Sequence, residues 1–433
     1  MKKTILTILI CLICGFMICC LSGCSDKKNI SEDNKELPKE VSDLEQKYSD
    51  VKKDDLKWDY NTSTKTIVIS GKGMMKNYLE EEPEWNYLSQ EAEKIIVGDE
   101  VTTIGDGAFL LFSNIKEVKL GDSIEYIGAR SFDFCTSLTT INFPNKIKYI
   151  ENLAFNNTIL HSSNGFILPE GLIYLGNSAF HSAFKESYVS IPESLVTIED
   201  NAFANCYVEE FRVNENNKNY KSVDGILYDK NITTLINYPA LKNSIIFEIP
   251  STIKTIKENA IEVTNDLEKI VVPKDVATIE EKSIFWNYGL KYIEVDKDNN
   301  NYMSIDGVLY SKDGKSLISY PIASERDEYT VLDTVEEIQS YSISSAKNLR
   351  KLYIKEGVKS LNYGSLYSCK NLEEIHLPKS LNKIDKYSFE YDDKLKLIKY
   401  ASTKSDWDLI KIEDNNTILK SNNIKIEYTI NNN

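Results

Sequence analysis

The sequence has few of the side chains on which enzymes most often rely. Only three histidines occur, His161, His181 and His376, and none lies within metal-ligand spacing of another histidine or of a cysteine. The chain contains no Gly-Lys-Ser/Thr phosphate loop, no Gly-x-Ser-x-Gly turn and no His-Glu-x-x-His helix. We therefore predict that the protein is not an enzyme and holds no cofactor or metal. The alternative, a dispersed catalytic site, would require a deep cleft with converging titratable groups.

Positive charge is also in the minority. The chain has 51 Lys and Arg against 66 Asp and Glu, which gives a net charge of −15. Nucleic-acid binding depends on Lys and Arg that replace phosphate counterions, so we expect no nucleic-acid partner. With 433 residues the chain is too long for one compact core of ordinary size, and several domains or an elongated repeat are expected.

The first residues have the pattern of an export signal. Lys2 and Lys3 precede an almost wholly apolar, uncharged run over residues 5–21, and this run ends in Leu-Ser-Gly-Cys24. The ending resembles the bacterial lipobox, in which lipid is attached to the cysteine thiol and the chain is cleaved just before it. The resemblance implies an exported protein held through Cys24 on the outer face of the bacterial cell membrane. The alternative is an uncleaved membrane helix.

An internal repeat organises most of the chain. Each unit starts with an aliphatic residue and reaches Phe or another aliphatic residue after four spacers, the last of which is usually small. Six of the nine steps between successive starts are 23 residues long, which chance does not produce. The ten starts are Ile104, Ile127, Ile150, Leu175, Ile198, Ile256, Ile279, Ile338, Leu361 and Ile384.

Each unit also contains a short apolar alternation, as in Leu138-x-x-Ile141-x-Phe143. The alternation predicts a strand with one face inward, and prolines such as Pro144 and Pro273 end these strands by removing a ladder donor. One unit of 23 residues cannot close a core alone. Stacked units are therefore expected to bury a continuous apolar column, with the Phe of each Ala-Phe pair filling the side opposite the strands.

The unit resembles the BspA-like leucine-rich repeats, whose pattern is aliphatic-Gly-x-x-Ala-Phe-x-x-Cys-x-x-Leu. The flanks are similar too: Leu56-Lys-Trp58 resembles the start of the family's N-terminal capping module, and Trp407 lies in a segment that resembles its closing segment. The resemblance implies a leucine-rich-repeat solenoid of about ten 23-residue repeats, made mainly of short β-strands with turns and short helical segments. Both ends need caps, because otherwise an apolar face and a strand edge stay open. The predicted domains are a lipoprotein signal peptide at 1–23, a flexible tether at 24–55, an N-terminal capping module at 56–94, the solenoid at 95–400 and a C-terminal cap at 401–433.

Two longer steps between units contain a second repeat. Tyr220-Lys-Ser-Val-Asp-Gly-Ile-Leu-Tyr228 matches Tyr302-Met-Ser-Ile-Asp-Gly-Val-Leu-Tyr310, and every matching pair is offset by 82 residues. Asp-Gly between alternating apolar segments is a hairpin signal. We predict β-hairpin insertions near 211–248 and 293–330 that project from the solenoid or widen its sheet. The recurring tyrosines are expected to serve packing first.

The eight cysteines do not indicate a disulfide framework. Four lie before Cys24, and Cys135, Cys206 and Cys369 each lie eight residues after a repeat start, which makes them equivalent positions in different rungs. Rungs stack about 4.8 Å apart, so Cys135 and Cys206, three rungs apart, are separated by roughly 14 Å. A disulfide needs Cα atoms within about 7 Å. We predict three unpaired, buried and unreactive thiols.

Binding is expected on the exposed strand face of the solenoid. The residue between each inward-facing pair should point outward, and the alternative for any one position is ordinary solvation. Tyr353 and His376 lie on adjacent rungs and are the strongest local candidates. The candidate ligand-binding residues are Lys119, Asn142, Val271, Tyr353, His376 and Lys399.

The partner is expected to be an unknown extracellular protein or glycan. The BspA resemblance implies protein–protein interaction, including adhesion to host matrix or to other cells. The alternative is a carbohydrate-binding module for cell-wall or environmental glycans, since the chain has 26 tyrosines and aromatic rings serve protein interfaces and sugar stacking alike. A broad, mixed polar face would favour the first function, and a cluster of exposed parallel rings would favour the second.

Overall fold

The computed structural model describes residues 47–48, 51, 54–421 and 423–429. The predicted signal peptide, Cys24 and most of the predicted tether lie outside these residues. The chain from Tyr48 onward forms one compact unit. Within the described part of the chain, no helix has the length and apolar character needed to cross a membrane.

The described residues form a β-solenoid of about 13 turns, built almost wholly from short strands. Each regular turn consists of a side strand, a back turn and a front strand, and strands of successive turns pair in parallel. The predicted solenoid is thus confirmed. The front strands are Lys94–Val97, Glu117–Lys119, Thr140–Ile141, Phe166–Ile167, Lys185–Ile191, Tyr207–Val213, Ile246–Glu248, Lys269–Val272, Tyr292–Val295, Glu328–Thr330, Lys351–Tyr353, Glu374–Leu377, Leu397–Tyr400 and Lys425–Tyr428.

The side strands correct the predicted repeat count, because they outnumber the ten repeat starts. Three of them, Thr234–Asn237, Ser316–Ser319 and Lys411–Ile412, carry no repeat pattern and yet pair in parallel with the next or previous regular side strand. A strand that pairs through its backbone needs no particular side chain, so the pattern search missed these turns. The remaining side strands are Thr103–Ile104, Tyr126–Ile127, Tyr149–Ile150, Tyr174–Leu175, Thr197–Ile198, Thr255–Ile256, Thr278–Ile279, Glu337–Ile338, Ser360–Leu361 and Lys383–Ile384.

Each back turn bends the chain at two residues with left-handed backbone, which lie three and seven residues after every one of the ten repeat starts. Arg130 has a φ of 55° and Phe134 a φ of 58°, and even the β-branched Val263 adopts a φ of 50°. This conformation costs an L-residue about 1–2 kcal/mol. Stacking offsets the cost, because the amides of Arg130 and Phe134 donate to carbonyl oxygens of the next turn, each at 2.9 Å.

A stack of phenylalanine rings fills the side of the core next to the back turns. The rings of Phe109, Phe132, Phe155, Phe180 and Phe203 are buried. Successive centroids lie 5.5, 5.3, 5.2 and 6.2 Å apart, with the rings within 14° of parallel. This arrangement confirms the predicted place of the Ala-Phe pairs.

The buried apolar column is divided rather than continuous. It consists of three clusters, spanning residues 67–227, 226–309 and 308–410, and the clusters meet at the two insertions. The insertions interrupt the phenylalanine stack and contribute tyrosines such as Tyr228 and Tyr310 to the core instead.

Both insertions contain the predicted Asp-Gly hairpin and continue into a third antiparallel strand. The first consists of Tyr220–Val223 and Ile226–Asp229, and the second of Tyr302–Ile305 and Val308–Ser311. Each pairs next with a side strand of the solenoid. The insertions are therefore built into the wall of the solenoid and do not simply project from it.

Tyrosine hydroxyls close the side-strand edges next to the insertions. The Ile198 amide donates to the Tyr220 hydroxyl at 2.6 Å, and the Ile279 amide donates to the Tyr302 hydroxyl at 2.8 Å. Each hydroxyl thereby satisfies a backbone donor that no neighbouring strand accepts. This contact gives the recurring tyrosines the packing role expected of them.

The two ends have their own elements. At the N-terminal end, a hairpin of Lys57–Asn61 and Thr66–Ser70 pairs in parallel with the first front strand, and a 3-10 helix spans Asn86–Leu88. At the C-terminal end, a short α-helix, Lys404–Trp407, begins after Thr403, whose hydroxyl accepts a hydrogen bond from the Asp406 amide. The remaining short elements are the 3-10 helix Thr417–Lys420 and the back strands Ile261–Glu262 and Ile284–Phe285.

Candidate functional site

Three of the six candidate residues lie side by side on the front strands near the C-terminal end. Tyr353 pairs with His376, and His376 pairs with Lys399 on the next strand. The Tyr353 and His376 rings lie 4.3 Å apart between centroids and are tilted by 37°. All three side chains are partly exposed, as expected from the period of two along each strand.

Two carboxylates complete this group, and the sequence analysis missed both of them. Glu374 Oε1 lies 2.6 Å from His376 Nε2 and 2.7 Å from Lys399 Nζ. Glu328 receives the Lys351 ammonium at 2.6 Å and lies 3.5 Å from the Tyr353 hydroxyl. The hydrogen bond from Lys399 holds the pKa of Glu374 below its ordinary value. Glu374 lies two residues before His376 on one strand, so the alternation alone could have found it.

We call this group the front patch, defined as Glu328, Tyr353, Glu374, His376 and Lys399. Its ion pairs join neighbouring strands, so each charged side chain holds the next in place. The patch presents two stacked rings, a cation and two carboxylates on a backbone that parallel pairing makes rigid. Such a surface can bind a partner through aromatic and charged contacts.

The other three candidates lie elsewhere and are not brought to the front patch. Lys119 lies near the N-terminal end, with its Nζ 3.6 Å from Glu117. The Asn142 amide oxygen accepts from the Leu120 amide at 2.7 Å and its Nδ2 donates to the Leu120 carbonyl at 2.9 Å, so this side chain completes the ladder of the neighbouring strand. Val271 lies on a separate three-stranded sheet.

A second polar group follows the back turns. Asn156 donates to Asp133 at 2.8 Å and lies 2.9 Å from His181 Nδ1, and Asn205 reaches both Ser182, at 2.7 Å, and the Glu262 carboxyl. Burial lowers the pKa of His181 to about 4 and raises that of Glu262 to about 8, so both groups are largely neutral at pH 7.

This ladder links turns along the wall instead of converging on one point. Of the predicted surface or rim histidines, His161 is well exposed and His181 is half-buried. No group of three or more His, Cys, Asp or Glu side chains within the described ranges is arranged to hold a metal ion.

The three body cysteines are free and buried, as predicted. Each Sγ donates to the carbonyl oxygen of a residue 26 positions earlier, which places the thiols at equivalent sites in their turns. Burial raises the pKa of Cys206 to about 12 and raises the pKa of Cys369 well above its ordinary value. Since the thiolate is the nucleophile, these cysteines serve as small core residues.

The thiols of Cys135, Cys206 and Cys369 should therefore not react in the folded protein. In the chain from residue 25 onward, we expect a thiol reagent such as DTNB to label none of them at pH 8 without denaturant. All three should react after unfolding in guanidinium, because burial alone protects them. Labelling of a thiol before unfolding, followed by absorbance, would contradict the buried position of that cysteine.

The comparisons agree with this architecture. The model of the BspA type leucine-rich repeat region matches in six copies over residues 102–233, 161–291, 234–310 and 324–430, which together cover more than half of the chain. No curated protein matches the sequence.

Among solved structures, a leucine-rich repeat protein from Eubacterium ventriosum is 24% identical, with 79% of this chain and 82% of that one covered at a TM-score of 0.55. A leucine rich cell surface protein from Faecalibacterium prausnitzii is 20% identical, with coverage of 83% and 97% and a TM-score of 0.46. The pneumococcal vaccine antigen PcpA is 18% identical, with 88% of each chain covered and a TM-score of 0.36. With the family model matched over most of the repeats and a solenoid whose turns follow the same pattern, the chain belongs to the BspA-type leucine-rich repeat family.

Proposed function

We propose that this protein is a lipid-anchored cell-surface binding protein that holds a partner protein through the front patch, in adhesion to host matrix or to other cells. The observation that carries the proposal is the pair of stacked rings, Tyr353 and His376, set between charged side chains on adjacent front strands. Leucine-rich repeats are a scaffold whose broad strand face serves binding. The proposal places the contact at one named point of that face.

The chemistry of the patch fits a protein partner better than solvation alone. Aromatic residues are enriched where protein interfaces bury most surface, and a few of them carry most of the binding free energy. Glu374 holds both His376 and Lys399 before any partner arrives. Binding then orders fewer side chains, which lowers the entropic cost of association.

Tyr353→Ala combined with His376→Ala tests the patch. The chain from residue 25 onward is screened against a panel of extracellular matrix proteins, and the affinity of each hit is compared between the original protein and the double variant. We expect at least about a tenfold loss of affinity, because truncation of a central aromatic residue costs about 2 kcal/mol or more.

Lys119→Ala provides the matched control, since Lys119 also faces outward from a front strand but lies outside the patch. Its affinity should stay within about twofold of the original. Equal affinities for the double variant and the original would sink the proposed contact. A protein that bound no matrix component at all would remove adhesion to host matrix from the proposal.

Anchoring through Cys24 rests on the residues Leu-Ser-Gly-Cys24 at the end of the apolar leader. Cys24→Ser should release the protein from the membrane fraction of cells into the soluble fraction, because the serine hydroxyl cannot receive the thioether-linked lipid. Two or three acyl chains hold a protein stably, each methylene contributing about 0.8 kcal/mol. Retention of the Cys24→Ser protein in the membrane fraction would argue for an uncleaved helix instead.

A further inference from the structure

A cleft of about 410 Å³ lies at the N-terminal end of the solenoid, far along the chain from the front patch. Aromatic rings form its apolar part: Trp58, Tyr78 and Trp85 all line it. Its volume falls within the range of about 300–1,000 Å³ that is typical of small-ligand sites. We propose that this cleft binds a short, uncharged glycan segment, independently of the front patch.

The aromatic wall is rigid and has one ring open to a ligand. Trp85 is buried, with its indole N–H donating to the Ala108 carbonyl at 2.9 Å. Trp58 packs edge-on against Trp85, with 6.1 Å between the centroids, and is itself only half-buried. Tyr87, 70% exposed, lies 6.4 Å from Trp58 on the other side and extends the aromatic surface beyond the cleft. Sugar rings pack their C–H faces on such amphipathic side chains.

The polar lining offers both donors and acceptors. Asp55 and Glu84 present exposed carboxylates, and Lys57 presents an exposed ammonium group. Within the part of the chain that the structure describes, neither Asp55 nor Lys57 has an ion-pair partner. A sugar hydroxyl donates and accepts at once, so a mixed set of carboxylate and ammonium groups matches it.

The remaining charges are already used inside the protein, which favours an uncharged ligand over a cation. Asp54 accepts hydrogen bonds from the Leu56 and Lys76 amides. Lys76 pairs with Glu81 at 2.9 Å and lies over the Tyr78 ring, 5.0 Å from its centroid. The ring face that would otherwise attract a cation is therefore occupied by one of the chain's own ammonium groups.

Isothermal titration calorimetry tests the cleft with the chain from residue 25 onward. The probes are cellotetraose, chitotetraose, maltotetraose and mannotetraose, with choline as a cationic comparison. We expect at least one sugar to bind with a Kd of about 1 mM or tighter. Trp58→Ala should weaken that binding by about tenfold, since the open ring supplies the stacking surface.

A second variant keeps the test independent of folding. Asp55→Ala combined with Lys57→Ala changes only exposed side chains and should weaken the same sugar by about fivefold or more. Tyr391→Ala, an exposed tyrosine on a distant back turn, should leave it unchanged. The proposal is overturned if no sugar binds, if choline binds and no sugar does, or if a bound sugar is indifferent to both cleft variants. None of these results depends on the front patch.

Discussion

Gly105→Ala should destabilise the protein by more than about 3 kcal/mol, because the added methyl group has no space. A Cβ at this position would lie 1.8 Å from the Lys76 carbonyl oxygen and 2.7 Å from its carbon. The obstacle is backbone, so no side-chain rotation relieves it. The loop that carries Lys76 is held on both sides, since the Met75 amide donates to the Thr103 hydroxyl at 2.9 Å and the Tyr78 amide donates to the Asp106 carbonyl at 2.7 Å.

Urea unfolding followed by tryptophan fluorescence measures this effect, as Trp58 and Trp85 lie beside the same loop region. Gly98→Ala is the control: its Cβ would be 3.4 Å from the Ile69 carbonyl oxygen, which is an ordinary contact, and its cost should stay below about 1 kcal/mol. A Gly105→Ala protein as stable as the Gly98→Ala protein would mean that the N-terminal module is not packed against the first turn as described.

Phe155→Ala should cost about 3–5 kcal/mol, the second of the two large effects. Phe155 is fully buried between Phe132 and Phe180, with centroids at 5.3 and 5.2 Å and both ring pairs within 6° of parallel. Removing the middle ring leaves a cavity and exposes two ring faces to it. Phe155→Leu should recover most of the loss, because it refills much of the volume.

The same unfolding experiment compares Phe155→Ala with Leu409→Ala, a residue that is 81% exposed and should change stability by less than about 0.5 kcal/mol. Hydrogen exchange adds a spatial readout. In a repeat protein each turn contacts only its neighbours, so protection should fall first in the turns that contain Phe132 and Phe180. Equal stability of the two alanine variants would contradict a stacked aromatic core.

The strands and the core were predictable because each follows from a local period. The alternation in Leu138-x-x-Ile141-x-Phe143 places one face inward whatever the neighbouring turn contains. The left-handed positions could not be predicted in this way. Val263, Lys282 and Tyr341 carry none of the glycine or asparagine signal for that backbone, which the hydrogen bonds between stacked turns impose.

The site was predictable only in part, for a related reason. Alternation along one strand identified Tyr353, His376 and Lys399 as outward residues, and a constant step of 23 residues placed them on neighbouring turns. Asn142 follows the same rule, yet its amide is used by the backbone of Leu120. Whether an outward side chain is available depends on the edge beside it, and a period does not encode the edges.

The cleft at the N-terminal end was not predicted, since its walls come from segments that share no repeat. Trp58 and Trp85 were recognised as parts of a capping module. Nothing in their spacing indicates that Asp55, Lys57 and Glu84 gather around them. Irregular modules at the ends of a repeat array therefore need the three-dimensional structure before a site can be proposed.

The two insertions carry their own closing contacts, and this has a consequence for how such a chain can grow. Asn217 and Asn299 are buried, and the amide nitrogen of each donates to two backbone carbonyls of the preceding turn while Tyr220 and Tyr302 close the adjacent strand edge. Everything needed to join an insertion to the turn before it thus travels inside one block of 82 residues. A gene could duplicate or delete such a block whole and still encode an array without an open seam, so lineages can vary in length while every junction keeps the same geometry.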